Sequence, residues 1–374
     1  RQFAAYLYHR YPDAVARHFR MPQNSGTPRP TPARHPLHLA ATDFEQFQNL
    51  LPVSGEDSSP PSTKNPRAIF VLSTHRSGTT LFRTMLAGHP ALFAASELQL
   101  LEFDNMATRR NTFQGAESLW LEGAIRSVME IHRCDVEKAK QIIAEYEEKA
   151  TSTQDFFRVL QEWVAPQILI DKSPSYSLDP NALKRAEAYF EDALYIHLVR
   201  HPQAMVQSAE NFHMHQIWRV AEHSYSNRQL AELVWSLSHR NILNFLSDVP
   251  ASRQVRVQFE SLVRQPQTTM EHLCRQLDIE YHSDLIEPYK EKERKMLDGI
   301  YPESMPMGDT HFHGYRRIEA DVAEKWRDST DGELADVTLE LAEQLGYARK
   351  SATSSKRKGL GAQRSRRRRH RAGR

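Results

Sequence analysis

The sequence predicts an α/β fold in which a central parallel sheet is flanked by helices. Three observations carry that prediction. Short apolar runs at 68–72, 168–170 and 193–199, and an alternating run at 254–259, have the length and β-branched content of strands. Stretches with helical periodicity separate them, the pattern that builds parallel sheets. The turns richest in chemistry, 73–80, 171–174 and 200–202, each follow a strand, at the edge where such sheets bind ligands.

Composition bounds the rest. The chain has 374 residues, is 40% hydrophobic and holds 13 Tyr, 16 Phe and 5 Trp, which suffices for a sizeable core. No apolar run approaches the roughly 18 residues that cross a bilayer. Residues 1–20 are charged throughout and do not read as a signal peptide. Cys134 and Cys274 give neither a disulfide framework nor zinc spacing, which suits a reducing compartment. The expectation is a cytoplasmic protein without a metal. A first residue of Arg rather than Met fits a piece cut from a longer polypeptide. The net charge of +2 is a property of the C-terminus. Residues 351–374 carry ten Lys or Arg and no acid, so the remainder has 39 basic against 47 acidic residues. A body with that balance does not predict nucleic-acid binding.

In chain order, 1–20 reads as an N-terminal amphipathic helix with Phe3, Leu7 and Val15 among its apolar positions. Residues 21–66 read as a Pro-rich linker, with five prolines in 21–36 and four in 52–66. The compact domain then spans 67–349, and 350–374 reads as a disordered basic tail. Within the domain, 98–106 stays apolar. Helical text covers 113–165 and runs from 203 to about 246, and another helix starts at 260. No internal repeat is visible.

The stretch 68–88 combines a strand, a turn of small and basic residues, and a helix start. Backbone N–H groups at such a helix N-terminus, with its dipole, favour an anion. Gly78 permits close approach of the backbone, Ser77, Thr79 and Thr80 offer hydroxyls, and Arg76 offers a forked cation. A Walker A loop needs G-x-x-x-x-G-K-[ST]. Here position 73 is Ser and no Lys follows Gly78, which argues against an ordinary kinase or ATPase. Further on, a strand delivers Arg200 to the sheet edge, Pro202 opens the next helix, and Ser208 lies two turns along it. Arg200 and Ser208 meet at one anion only if that helix folds back over the loop.

These motifs resemble those of sulfotransferases that use 3′-phosphoadenosine-5′-phosphosulfate (PAPS). Residues 73–80 resemble their 5′-phosphosulfate loop, and the eight-residue spacing of Arg200 and Ser208 resembles their 3′-phosphate motif. The resemblance covers roughly 66–328 and implies the sulfotransferase fold, a P-loop-like central parallel sheet flanked by helices. Asp171-Lys-Ser-Pro resembles a segment of tyrosylprotein sulfotransferases whose Lys lies close to the transferring group, which makes Lys172 a second catalytic cation beside Arg76. Glu97 stands at the spacing from the loop of their catalytic base, and its apolar flanks predict a pKa raised by burial. His213, His215, His223, His311 and His313 are rival bases or acceptor contacts. Residues 316–326 resemble the late basic segment that closes over the nucleotide, with Arg316 in the place of its Lys. The Arg-Lys-Gly of cytosolic small-molecule sulfotransferases is missing from that segment.

The stretches 95–101, 171–176 and 197–202 together look like the sulfotransferase domains of bacterial polyketide synthases. Those domains sulfate the β-hydroxyl of an acyl chain on an acyl carrier protein. Release by a thioesterase, with loss of CO₂ and sulfate, then leaves a terminal alkene. The resemblance implies PAPS as co-substrate, adenosine 3′,5′-bisphosphate as product, and an acyl carrier protein or a small hydroxyl compound as partner. Residues 4–15 fit a helix that follows a carrier domain, whereas the basic tail looks more like a chain end. The alternatives are a free-standing sulfotransferase for a carbohydrate, lipid or tyrosine hydroxyl, and a nucleotide-binding P-loop module or kinase. The sequence leaves the oligomeric state open.

Overall fold

The computed structural model describes residues 39–55, 62–291, 312–328 and 333–348. The readings of 1–20 as a helix and of 350–374 as a tail lie outside those residues. Among the described residues the chain forms α1 (Ala41–Gln48), β1 (Ile69–Leu72), α2 (Thr79–Leu86), β2 (Leu92–Ala94), α3 (Met106–Thr112), α4 (Glu122–His132), α5 (Val136–Glu148), α6 (Thr153–Val164), β3 (Ile168–Asp171) and α7 (Pro180–Tyr189). It continues through β4 (Leu194–Val199), α8 (Pro202–Asn211), α9 (Asn227–Leu246), β5 (Gln254–Gln258), α10 (Phe259–Arg264), α11 (Pro266–Leu277) and α12 (Asp336–Gln344), with short 3-10 turns between.

The strands pair in the order β2-β3-β1-β4-β5, and every pairing is parallel. The middle strand, β1, has all four residues buried, because helices cover both faces. Its side chains alternate accordingly. Phe70 and Leu72 join one core with Phe157, Phe190 and Tyr195, and Ile69 and Val71 join the other with Phe82, Met85, Ile196 and Leu262. A third cluster surrounds Trp235 on α9 and includes residues of α1, α8 and α12.

Four strands lie where the apolar runs predict them; β2 adds a fifth. The sheet order puts β1 between β3 and β4, so the loops leaving β1, β3 and β4 emerge side by side at the carboxyl edge, where the strand order reverses.

Two differences from the sequence reading have plain causes. Composition makes 21–66 a linker, yet α1 lies inside it. Phe44 and Phe47, three apart on one face, are fully buried beside Tyr225, and Asp43 accepts a hydrogen bond from the Ala40 N–H at 2.7 Å. The helical text of 203–246 is also two helices. His213 sits at φ 54°, a left-handed conformation that ends a helical run, and Ser226 with Gln229 forms a capping box that starts α9 afresh.

Candidate active site

The loop after β1 is fastened before it reaches any ligand. Ser73 Oγ donates to the Leu198 carbonyl at 2.7 Å, and the Thr74 and Ser77 hydroxyls lie 2.6 Å apart. Arg76 and Gly78 both have positive φ, 61° and 80°. For Arg that conformation costs about 1–2 kcal/mol, and it turns the chain sharply into α2. At Gly78 a Cβ would sit 2.2 Å from the Phe259 ring. The loop backbone therefore needs glycine for both conformation and space. Gly78 caps α2, so the first-turn amides at Thr79 and Thr80 make no bond within that helix.

These residues line a cavity of about 390 Å³. The far wall comes from α8. Ala204, Gln207, Ser208 and Asn211 follow i, i+3, i+4, i+7 spacing and form one helix face toward the cavity. The helix does fold back over the loop. Arg76 Nε donates to Ser208 Oγ at 3.2 Å, Arg200 Nη1 donates to the Arg76 carbonyl at 2.7 Å, and the Arg76 guanidinium lies 4.3 Å from the Phe212 ring centroid. Arg200 in turn stands 4.8 Å from the centroid of Phe259, the same ring that closes on Gly78. Three sequence-distant groups, Arg76, Arg200 and Ser208, thus meet in one cationic, hydroxyl-bearing corner.

The Arg200 turn is braced from behind. Trp235 Nε1 donates to the Arg200 carbonyl at 3.0 Å, and the His201 N–H donates to Glu260 at 2.9 Å. The His201 ring stacks on Trp326 with centroids 3.7 Å apart, which fixes the late segment over the cavity. From that segment Tyr315, Lys325 and Trp326 line the cavity. Arg316 is exposed and does not line it, so the cation that this segment presents is Lys325.

Glu97 lines the same cavity on the side of β2 and β3. These neighbouring parallel strands deliver Glu97 and Lys172 from their carboxyl ends, and the two side chains form a buried ion pair. The segment carrying Glu97 is clamped. Arg109 donates to the Leu98 and Gln99 carbonyls at 2.8 and 3.0 Å. Tyr176 OH accepts from the Leu100 N–H at 2.8 Å and donates to Asp171 at 2.7 Å, while Ser173 donates to the other Asp171 oxygen at 2.8 Å. On the opposite side a Cβ on Gly123 of α4 would sit 1.8 Å from the Glu97 carbonyl, so the two backbones abut. The run Asp-Lys-Ser-Pro-Ser-Tyr at 171–176 is a brace for Glu97.

Electrostatics correct one expectation. Burial does push the Glu97 carboxyl up, but Lys172, with His75, more than offsets it, and the carboxyl is held below its ordinary value. Burial pulls the Lys172 ammonium down against the attraction of Glu97. Asp171 is pushed up to about 6 by burial, against the hydrogen bonds from Tyr176 and Ser173.

Of the sequence-predicted residues, Arg76, Gly78, Thr79, Thr80, Glu97, Arg200 and Ser208 line the one cavity. Lys172 stands behind Glu97 instead of on the wall, and the Ser77 hydroxyl is engaged with Thr74. His213, His215 and His223 do not line the cavity; His311 and the side chain of His313 lie outside the described residues. Sequence reasoning missed His75, which lines the cavity beside Glu97 and is lowered to about 4, chiefly by burial. It also missed Gln207 and Asn211, although stepping from Ser208 by helical spacing finds them. Trp120 comes from a distant segment and carries no local signal, whereas Trp326 ends the 316–326 segment that the resemblance singled out.

A family model described as the Sulfotransferase family matches residues 66–283. No curated protein matches the chain. Among solved structures, the sulfotransferase domain from the curacin biosynthetic pathway is 35% identical, covers 76% of this chain and 99% of its own, and superposes with a TM-score of 0.71. The sulfotransferase domain from the Synechococcus PCC 7002 olefin synthase is 33% identical, covers 79% of this chain and 100% of its own, and has a TM-score of 0.70. The parallel sheet, the anion loop and the β4 turn, together with these likenesses, lead to one conclusion: the chain belongs to the sulfotransferase family.

Proposed function

We propose that the protein transfers a sulfuryl group from PAPS to the β-hydroxyl of an acyl chain tethered to a carrier protein. One observation carries the chemistry: a single cavity is lined by an anion loop, an Arg200–Ser208 corner and a buried carboxylate. The loop amides and Arg76 suit the 5′-phosphosulfate, and Arg200 with Ser208 suits the 3′-phosphate. Arg200 also supports the loop through the Arg76 carbonyl, so the two phosphate sites are mechanically joined.

In the transfer, the acceptor oxygen attacks sulfur in line with the S–O bond to the 5′-phosphate. That bond breaks, its electron pair leaves with adenosine 3′,5′-bisphosphate, and the hydroxyl proton passes to Glu97. Donors aimed at the leaving oxygen do most of the work, as in phosphoryl transfer. Lys172 keeps Glu97 ionised and pointed. The carrier-tethered acceptor is supported by similarity to domains named for the curacin pathway and for an olefin synthase. An alkene is what sulfation of a β-hydroxyl leads to once CO₂ and sulfate are lost.

The test is intact-mass measurement of a 3-hydroxyacyl carrier protein after incubation with enzyme and PAPS. A gain of about 80 Da, the mass of SO₃ moved in line, is expected. Glu97→Gln should slow that gain by about 10²–10⁴, the scale of a general base, with nucleotide affinity nearly intact. No gain on the carrier, with turnover on free sugars or phenols, would move the acceptor to another class.

A further inference from the structure

A second, smaller cavity of about 60 Å³ adjoins the first, and the two share His75, Trp120 and Ile217 as walls. At about 15 Å³ per water it has room for about four waters, hence for one small substituent and not for a chain. Part of its lining is apolar, including Leu51, Phe113 and Leu178.

Three polar atoms of its lining are not satisfied from within the protein. Gln99 is only 1% exposed; its Oε1 accepts from Ser175 at 2.6 Å, but its Nε2 has no hydrogen-bond partner. Glu102 Oε1 and His75 Nε2 are likewise buried without partners. An unmet buried polar group is destabilising, so three around one small space mark a place where something polar belongs. The arrangement is built. Gln99 is held at φ 53° by Arg109 on its carbonyl and Ser173 on its N–H.

The donor and acceptor pattern selects the chemistry. Trp218 Nε1 donates to His75 Nδ1 at 3.3 Å, so the neutral ring carries its proton on Nε2 and offers a donor. Gln99 Nε2 is a second donor. Burial pushes Glu102 up to about 7, so near neutrality it is present as acid and as carboxylate. Two donors and one carboxyl fit a neutral oxygen function, and the charges of Arg219 and Asp179, which also line the cavity, oppose each other.

We infer that this side cavity holds a second neutral oxygen substituent of the acceptor, a hydroxyl or carbonyl within a few bonds of the hydroxyl that is sulfated. The inference rests on the proposed transfer reaction and deepens it: the preferred acceptor is dioxygenated and not a plain alkyl alcohol. Glu102 acts in selecting the acceptor and takes no part in the transfer.

The experiment compares kcat/KM for 3-hydroxydecanoyl and 3,5-dihydroxydecanoyl carrier protein with PAPS. Wild type should prefer the dihydroxy chain by at least about tenfold, the low end of what a polar pocket discriminates. Glu102→Leu should bring that ratio to about 1 and leave the 3-hydroxy chain within about threefold of wild type. Glu102→Gln, which keeps a hydrogen-bonding group, should retain most of the preference. A wild-type ratio near 1 overturns the inference and leaves a cavity that holds water only; that ratio decides the matter even where Glu102→Leu does not fold. A preference that survives Glu102→Leu unchanged overturns it too. If neither chain is sulfated while adenosine 3′,5′-bisphosphate still binds, the carrier-tethered reading fails and this inference falls with it.

Discussion

At the scale of residues, the centre of the site is the Glu97–Lys172 pair. A carboxylate 7% exposed in an apolar wall would take up a proton if it stood alone. Lys172, 75 residues away in sequence, reverses that. Glu97 was singled out by resemblance, through its spacing from the loop, and its burial was legible from its apolar neighbours. The sign of its pKa shift was not, because it depends on a partner that only the β2–β3 pairing supplies. The consequence is testable through pH. With the carboxyl depressed below 4.5, Glu97, the proposed base, is fully ionised above that value and loses its charge as pH falls through the depressed one. The acid limb of the rate profile should therefore lie below pH 4.5. In Lys172→Met, burial is left without the cation that opposes it. The limb should move up, toward neutrality, and stability should fall by about 3–5 kcal/mol, the cost of breaking a buried pair. An unmoved limb, read from kcat/KM against pH, would show that Lys172 does not set the ionisation of Glu97.

At the scale of elements, the β1 loop, α2 and α8 act as one device. Gly78 lets the loop turn and lets Phe259 close on it, and Phe259 carries Arg200 on its face. Gly78→Ala should cost about 1–2 kcal/mol for the left-handed backbone, plus the displacement of the Phe259 ring. Because the displaced ring also carries Arg200, adenosine 3′,5′-bisphosphate should bind at least about tenfold more weakly, a loss of about 1.4 kcal/mol. Thermal melting and a nucleotide titration measure both effects, and full affinity in the variant would contradict the packing argument. The strong motifs at 73–80 and 200–208 were readable because each is local, a strand end and the turn after it. Strand β2, three residues long, offers no period to detect. Helix α1 shows only two buried aromatics among flanking prolines, so its window reads as linker. Arg316 was chosen by resemblance, but the 3-10 turns of that segment bring Lys325 and Trp326 to the wall and leave Arg316 in solvent.

At the scale of the whole molecule, the fold brings together at one sheet edge what the chain keeps more than a hundred residues apart. Arg76 and Ser208 are 132 positions apart and share a hydrogen bond. The parallel order with β1 in the middle makes this unavoidable, because the loops after β1, β3 and β4 leave the sheet side by side. Charge follows the same plan. The described cavity has the cationic Arg76 and Arg200 on one side and the Glu97 carboxylate on another, which suits the proposed donor with two phosphates and neutral acceptor. The most direct measurement is calorimetric titration of the intact chain with adenosine 3′,5′-bisphosphate, 5′-AMP and ATP, in wild type and Arg200→Ala. Wild type should bind the 3′,5′-bisphosphate more tightly than 5′-AMP by about 2–5 kcal/mol, the scale of one buried charge pair, and Arg200→Ala should erase that difference. Equal affinity for 5′-AMP, or tighter binding of ATP, would contradict the assignment of a 3′-phosphorylated sulfate donor to this site.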